Sequence, residues 1–193
     1  MRYAFDLDDT LSDTATVINE YAIKFDKEFL KGNGKMKKIN NAIDYYYFAE
    51  ALNWDKDNIK EFFKQYYIEI IEKVEVKPFV SETINKLKIQ NNEIYIITAR
   101  RKREENVIEN ITKRWLNKNK IYYDGLYINA KEKFNLVNEL NIDYFIDDSY
   151  KNCREVLENT KAKVFMLETE FNKQIKDDKI KTIKNINQIL EEN

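Results

Sequence analysis

Five short apolar runs punctuate the chain, at residues 3–6, 94–98, 126–129, 144–147 and 164–167. Each is rich in the β-branched and aromatic side chains that suit extended backbone. Their near-continuous apolar character predicts strands buried on both faces, as in a parallel sheet, rather than strands with one wet face. Between the later runs, apolar residues recur at helical spacing over 104–117, 133–140 and 152–159. Strands alternating with helices predict right-handed β–α–β crossovers, and with them an α/β fold built on a doubly wound parallel sheet.

One interval breaks the alternation. Residues 14–77 contain no convincing strand, and their apolar positions keep a helical period. Val17, Ile18, Tyr21, Ala22 and Phe25 define one such stripe; Ile59, Phe62, Phe63, Tyr66, Tyr67 and Ile70 define another. Lys31-Gly32-Asn33-Gly34 reads as a turn between them, and residues 53–57 as a helix start. The single proline, Pro78, marks the return to the strand-helix pattern, which resumes with a helix over 80–89. The expected organisation is therefore an α/β core of residues 1–13 and 78–193, with a small helical cap, 14–77, inserted between the first two strands. The Lys- and Asn-rich tail is expected to end in a helix over 183–191.

The first strand ends abruptly in Asp6-Leu7-Asp8-Asp9-Thr10. In open parallel sheets ligands bind at the carboxyl ends of the strands. Asp6 and Asp8, two apart on extended backbone, can point to one side. Like charges held that close repel unless a cation lies between them or one is protonated. A divalent metal and a phosphate-type substrate account for the arrangement. The plainer alternative is an acidic turn capping the next helix, since Asp and Thr both favour N-cap positions.

Composition narrows the chemistry. In 193 residues there is no histidine, which excludes Ser-His-Asp and Cys-His catalysis and His-ligated zinc. The one cysteine, Cys153, cannot form an intramolecular disulfide and fits a reducing, cytoplasmic setting. Carboxylates, lysines and hydroxyls remain, with a hard oxygen-liganded metal. A net charge of −1 argues against nucleic-acid binding through bulk charge. The sequence predicts neither a signal peptide nor a membrane span, since residues 6–9 already hold three carboxylates and no apolar run is long enough.

Further chemistry falls at later strand ends. Thr98 closes the run Ile96-Ile97 and is followed by Ala99-Arg100; Phe145-Ile146 runs into the acidic pair Asp147-Asp148. Lys131 and Lys133 precede Asp147 by 16 and 14 residues. Taken singly, each has a structural reading: Thr98 or Asp147-Asp148 as helix caps, the lysines as surface charge. In order, the pieces resemble the haloacid dehalogenase-like phosphohydrolase superfamily, whose motifs are Asp-x-Asp-x-Thr/Val, a Thr or Ser, a Lys and an acidic pair. In this chain these are Asp6-Leu7-Asp8-Asp9-Thr10, Thr98, Lys133 (favoured over Lys131) and Asp147-Asp148. Finer features are similar to the 5'(3')-deoxyribonucleotidase-type family and its bacterial relatives: Ile97-Thr98-Ala99-Arg100, Thr112-x-x-Trp115-Leu116, Ile121-x-Tyr123-Asp124-x-Leu126 and Phe145-Ile146-Asp147-Asp148-Ser149.

The resemblance implies a Rossmann-like sheet with a first-position helical cap and a Mg²⁺-dependent phosphomonoesterase acting on nucleoside monophosphates. Asp6 would be the nucleophile and Asp8 the general acid and base. Asp6, Asp147 and Asp8, the last through its backbone carbonyl, would hold the metal. Thr98 and Lys133 would bind and neutralise the transferring group. Arg100 is a candidate substrate contact. Tyr46 and Phe48 are candidates for stacking a base, because four aromatics at 45–48 cannot all face inward on one helix. The rival substrates are a sugar phosphate or another small phosphometabolite. Rivals of another class are a catalytically silent nucleotide- or protein-binding relative, and a phosphotransferase such as a mutase.

Overall fold

The computed structural model describes residues 1–39, 47–101 and 106–192. Its centre is a six-stranded parallel sheet of β1 (Arg2–Phe5), β4 (Glu93–Thr98), β5 (Gly125–Ile128), β6 (Tyr144–Asp147), β7 (Lys163–Leu167) and β8 (Lys181–Ile183). In space the order is β5-β4-β1-β6-β7-β8, with every neighbouring pair parallel. The chain thus builds outward from β1 to one edge, then returns to its other side for β6. That reversal is a topological switch point, and it opens a crevice at the carboxyl ends of β1 and β6.

Side-chain alternation explains how the sheet is covered on both sides. Tyr3 and Phe5 of β1, Ile94 and Ile96 of β4, and Tyr144 and Ile146 of β6 belong to one buried cluster. That cluster also takes in Val80, Ile84 and Leu87 of α4 (Val80–Ile89) and Trp115 and Leu116 of α5 (Val107–Lys118). Ala4, Ile97, Phe145, Val164 and Met166 join a second cluster, with Val137 of α6 (Lys133–Glu139) and Cys153 and Val156 of α7 (Tyr150–Asn159). Period-two strands packed by helices on both faces make this the doubly wound parallel sheet expected from the apolar runs, with the Rossmann-like form that the family resemblance implied.

Between β1 and β4 the chain leaves through β2 (Ser12–Asp13) and returns through β3 (Glu75–Val76), which pair antiparallel as a narrow ribbon. The intervening helices are α1 (Thr14–Glu28), α2 (Tyr47–Ala51) and α3 (Lys56–Lys73). Asp55 caps α3, its carboxylate accepting from the Asp57 and Asn58 amides. Phe25, Phe48, Trp54, Phe62 and Tyr66 interlock here, mostly edge-on, with ring centroids 5.2–6.2 Å apart where they pair. Buried Asp26 pins this layer: its carboxylate accepts from the Trp54 indole at 2.9 Å and from the Gly34 amide at 2.9 Å. A Cβ on Gly32 would fall 2.0 Å from that carboxylate, so the approach requires glycine.

Some elements differ from the periodicity reading. The helix expected over 104–117 is described from Val107, and residues 102–105 lie outside the described residues. The tail forms edge strand β8, which includes Ile183, and then a 3₁₀ helix (Ile186–Glu192), not a helix from 183. With three residues and one of them buried, β8 carries too few apolar positions to show a period.

Candidate active site

Asp6 follows β1 directly, and its amide still donates to the Ile146 carbonyl of β6 at 2.9 Å. It therefore lies at the switch point beside Asp147, the last residue of β6. Between them stands Lys133, the first residue of α6. Its ammonium donates to an Asp6 oxygen and to Asp147 Oδ2, the latter at 2.7 Å. All three side chains are less than a tenth exposed. Lys131 is exposed, so Lys133 is the lysine that reaches the carboxylates. Asp147 is further fixed by the Ser149 amide at 2.8 Å and the Asn152 side-chain amide at 3.0 Å. Ser149, not the acidic pair, caps α7.

Asp8 turns the other way. Its carboxylate accepts from the Arg100 guanidinium at 2.7 and 2.9 Å and from the Thr14 hydroxyl at 2.8 Å. Arg100, following β4, is buried and also donates to Thr112. The backbone folds sharply past Asp8: Asp9 takes a left-handed φ of 59°, and the Leu11 and Ser12 amides both donate to the Leu7 carbonyl. Asp9 then accepts from the Ala15 amide in the first turn of α1. Asp148 exchanges bonds with the Thr10 hydroxyl, its amide donating at 3.0 Å and its carboxylate accepting at 3.2 Å.

The two carboxylates of the first motif accordingly occupy opposite electrostatic settings. Burial pushes Asp6 up to about 7, with Asp147 and Asp8 adding repulsion and Lys133 only partly opposing it. Burial would raise Asp8 as well, but Arg100 and Thr14 outweigh it and hold the carboxyl below the usual range. Asp9 is raised to about 6 by burial, and Asp148 rises through burial and the charges of Asp9, Asp147 and Asp6. Burial pushes the Cys153 thiol well up, so no thiolate nucleophile is available from it.

Carboxylate oxygens of Asp6, Asp147 and Asp148 all lie within 4.8 Å of one another. Their combined negative charge exceeds what the single ammonium of Lys133 can offset. An all-oxygen donor set with unbalanced charge fits a hard divalent cation. The Asp8 carboxylate is not in this cluster, because Arg100 engages it; the cluster's third carboxylate is that of Asp148.

Above the carboxylates lies a cavity of about 690 Å³. Thr98 and Arg100 border it beside Asp6 and Asp8; the Thr98 hydroxyl accepts from the Arg100 amide at 3.1 Å. The opposite wall comes from α3. Phe62, Tyr66 and Ile70 of that helix are buried in the protein, while Ile59, Phe63 and Tyr67 line the cavity. The wall is completed by Tyr47 and by the segment after β7 through Thr169, Phe171, Asn172 and Ile175.

The structure corrects one expectation about the wall. Phe48 is fully buried among Trp54, Phe62 and Phe63, so it cannot meet a substrate; Tyr47, its neighbour, borders the cavity. Tyr46 lies outside the described residues. Sequence reasoning missed the supports Thr14, Ser149 and Asn152, whose roles rest on single hydrogen bonds. It also missed the post-β7 segment, whose Glu-Thr-Glu-Phe-Asn-Lys composition reads as a wetted loop.

A family model for haloacid dehalogenase-like hydrolases matches residues 3–119, more than half of the chain, and the protein belongs to that family of hydrolytic enzymes. At the level of individual relatives, it is 26% identical to a "Putative nucleotidase" of Oceanobacillus iheyensis, over 91% of each chain. It is likewise 26% identical to a "Putative nucleotidase" of Bacillus cereus, over 91% of this chain and 90% of that protein. Among solved structures, a "predicted phosphatase" from Clostridium acetobutylicum superposes with a TM-score of 0.67 at 16% identity, covering 99% of this chain and 96% of that one. A "putative beta-phosphoglucomutase" from Thermotoga maritima gives 0.63 at 17% identity, covering 99% and 98%. These similarities in structure concern the fold. No helix among the described residues is long and apolar enough to cross a membrane.

Proposed function

We propose that the protein is a Mg²⁺-dependent phosphomonoesterase with Asp6 as nucleophile, acting on nucleoside monophosphates. The observation that carries the reading is the Lys133 ammonium set between Asp6 and Asp147, at the switch point and under the cavity. A phosphate dianion could not approach these carboxylates unaided, since each like-charge contact at about 4 Å costs roughly 4 kcal/mol at a near-surface dielectric. Asp6, Asp147 and Asp148 would hold the ion, with the Asp8 carbonyl as the expected further ligand. Bound there, Mg²⁺ supplies positive charge that offsets the cluster and a binding point for a phosphoryl oxygen.

The chain's own residues then divide the work. Asp6 attacks phosphorus in line, the bond to the leaving oxygen breaks, and an aspartyl-phosphate forms. Lys133 offsets charge on Asp6 and the transferring group, and the Thr98 hydroxyl donates to a phosphoryl oxygen. Asp8 protonates the leaving oxygen and later takes a proton from the water that cleaves the intermediate. Because Arg100 holds Asp8 ionised while the two are paired, Asp8 must first leave the guanidinium and take up a proton from solvent before it can pass that proton to the leaving oxygen. Residues 14–77 act as a cap that excludes water from the first step, hinged on the β2–β3 ribbon.

The nucleotide assignment draws on the names of the two bacterial relatives and on a cavity walled by Phe63, Tyr67, Tyr47 and Phe171, which suits a flat apolar ring. Phosphate release from nucleoside monophosphates, deoxynucleoside monophosphates and sugar phosphates, with Mg²⁺ and with chelator, tests it. Metal-dependent release concentrated on nucleotides is the expected result. Release mainly from sugar phosphates would keep the mechanism and discard the substrate. No release from any would return the protein to the silent binding or phosphotransfer readings.

A further inference from the structure

We propose that Thr169 and Phe171, on the segment after β7, form a subsite for the sugar ring of the alcohol that leaves phosphorus. The inference rests on the phosphomonoesterase reading and extends it to residues outside the recognised motifs. Among the described residues the Thr169 hydroxyl has no hydrogen-bond partner, and its oxygen is shielded from solvent although the residue borders the cavity. A shielded hydroxyl without a partner forfeits free energy that a bonded ligand would restore. Rotation about χ1 exchanges hydroxyl and methyl between staggered positions, so the group can turn to a ligand in the cavity.

Its position selects the part of the ligand it would meet. The Thr169 amide donates to Asn172 Oδ1 at 2.8 Å, and Asn172 Nδ2 donates to the Asp148 carbonyl at 2.8 Å. Thr169 is thereby tied through Asn172 to the backbone of Asp148, which places it at the acidic end of the cavity, where the sugar next to the ester oxygen would lie. Beside it Phe171 offers an aromatic face. That ring stacks on Tyr47 with centroids 3.7 Å apart and planes at 25°, and the Tyr47 hydroxyl is in turn bonded to Asn19 at 3.0 Å. An aromatic face next to a free hydroxyl complements a sugar, which has an apolar C–H side and a polar hydroxyl edge. Neither group is needed to bind phosphate itself.

The test compares Thr169→Val, Thr169→Ser and Phe171→Leu on deoxyuridine monophosphate, glucose 6-phosphate and phenyl phosphate, which has no hydroxyl on its leaving group. The preference in kcat/KM for the two sugar-bearing esters over phenyl phosphate should fall about tenfold in Thr169→Val, mostly through KM, and return in Thr169→Ser. Phe171→Leu should also lower it. Because the hydroxyl is unpartnered in the free protein, Thr169→Val should not lower Tm. An unchanged preference, or a loss shared equally by phenyl phosphate, would overturn the subsite. Calorimetric binding of deoxyuridine monophosphate to Asp6→Asn, with and without Thr169→Val, separates the two readings. Weaker binding in the double variant supports the subsite even if the wild type released no phosphate, a result that would defeat the phosphomonoesterase reading alone.

Discussion

The carboxyl ends of β1 and β6 and the layer formed by α1, α2 and α3 face each other across one cavity, and they are built from opposite materials. The floor is a set of buried and half-buried charges each held by named partners: Lys133 on Asp6 and Asp147, Arg100 on Asp8, Thr10 on Asp148. The wall is held by aromatic packing with one buried anchor, Asp26. Directional bonds fix reacting atoms to within a fraction of an ångström, as the attack on phosphorus demands. Packed rings fill volume and can accept different ligands at little cost. On the function proposed above, chemistry would reside in the floor and selection in the wall.

Substitutions on the two sides should separate along that line. Asp6→Asn removes the proposed nucleophile and one charge from a repelling cluster, so turnover should fall by more than about 10³-fold while the metal-free protein melts no lower. Steady-state phosphate release beside a melting curve checks both, and near-normal rates would end the covalent mechanism. Lys133→Met leaves Asp6 and Asp147 without their shared cation. Turnover should be lost, and urea unfolding of the metal-free protein should show about 3–5 kcal/mol less stability. Lys131→Ala, at an exposed position, should change stability by less than about 0.5 kcal/mol.

On the wall, Phe62→Ala should cost about 3–5 kcal/mol by opening a cavity among Phe25, Phe48 and Trp54. Phe63→Leu, one residue on and facing the ligand space, should instead alter KM and substrate ranking with a smaller stability change. If both variants lost stability equally with no change in ranking, the division between core face and cavity face of α3 would fail.

A pH dependence of stability is expected as well. Asp9 has a folded pKa of about 6, raised above its unfolded value, so the folded protein binds the proton more tightly. Ionising Asp9 thus costs stability, a cost absent below about pH 4 and complete above about pH 6. Asp9→Asn keeps an acceptor for the Ala15 amide and removes the charge. Its gain over the wild type, about 1–3 kcal/mol in metal-free buffer, should appear across that window and persist at higher pH. A gain already present at pH 3 would rule out the buried charge as its cause.

The same contrast explains what the sequence disclosed. Parallel strands buried on both faces read as unbroken apolar runs, so β1, β4, β6 and β7 were legible, and the half-buried edge strand β5 kept the same composition. Residue type at the strand ends pointed to Asp6, Thr98 and Asp147, and the order of the family's motifs pointed to Lys133 at the start of α6. Element boundaries set by a few bonds were not legible: α2 and the β2–β3 ribbon are too short to carry a period. The aromatic run at 45–48 gave no means of telling Tyr47, on the cavity, from Phe48, in the core. Asp8's pairing with Arg100 spans 92 residues, and no local pattern encodes it.

The central claim is that Asp6 becomes covalently phosphorylated. Wild-type enzyme mixed with Mg²⁺ and its best phosphate ester, quenched in acid during turnover and reduced with borohydride, should yield homoserine in place of Asp6 in the N-terminal peptide. Released phosphate with Asp6 recovered unmodified, and the reduced residue at another aspartate or at none, would contradict it.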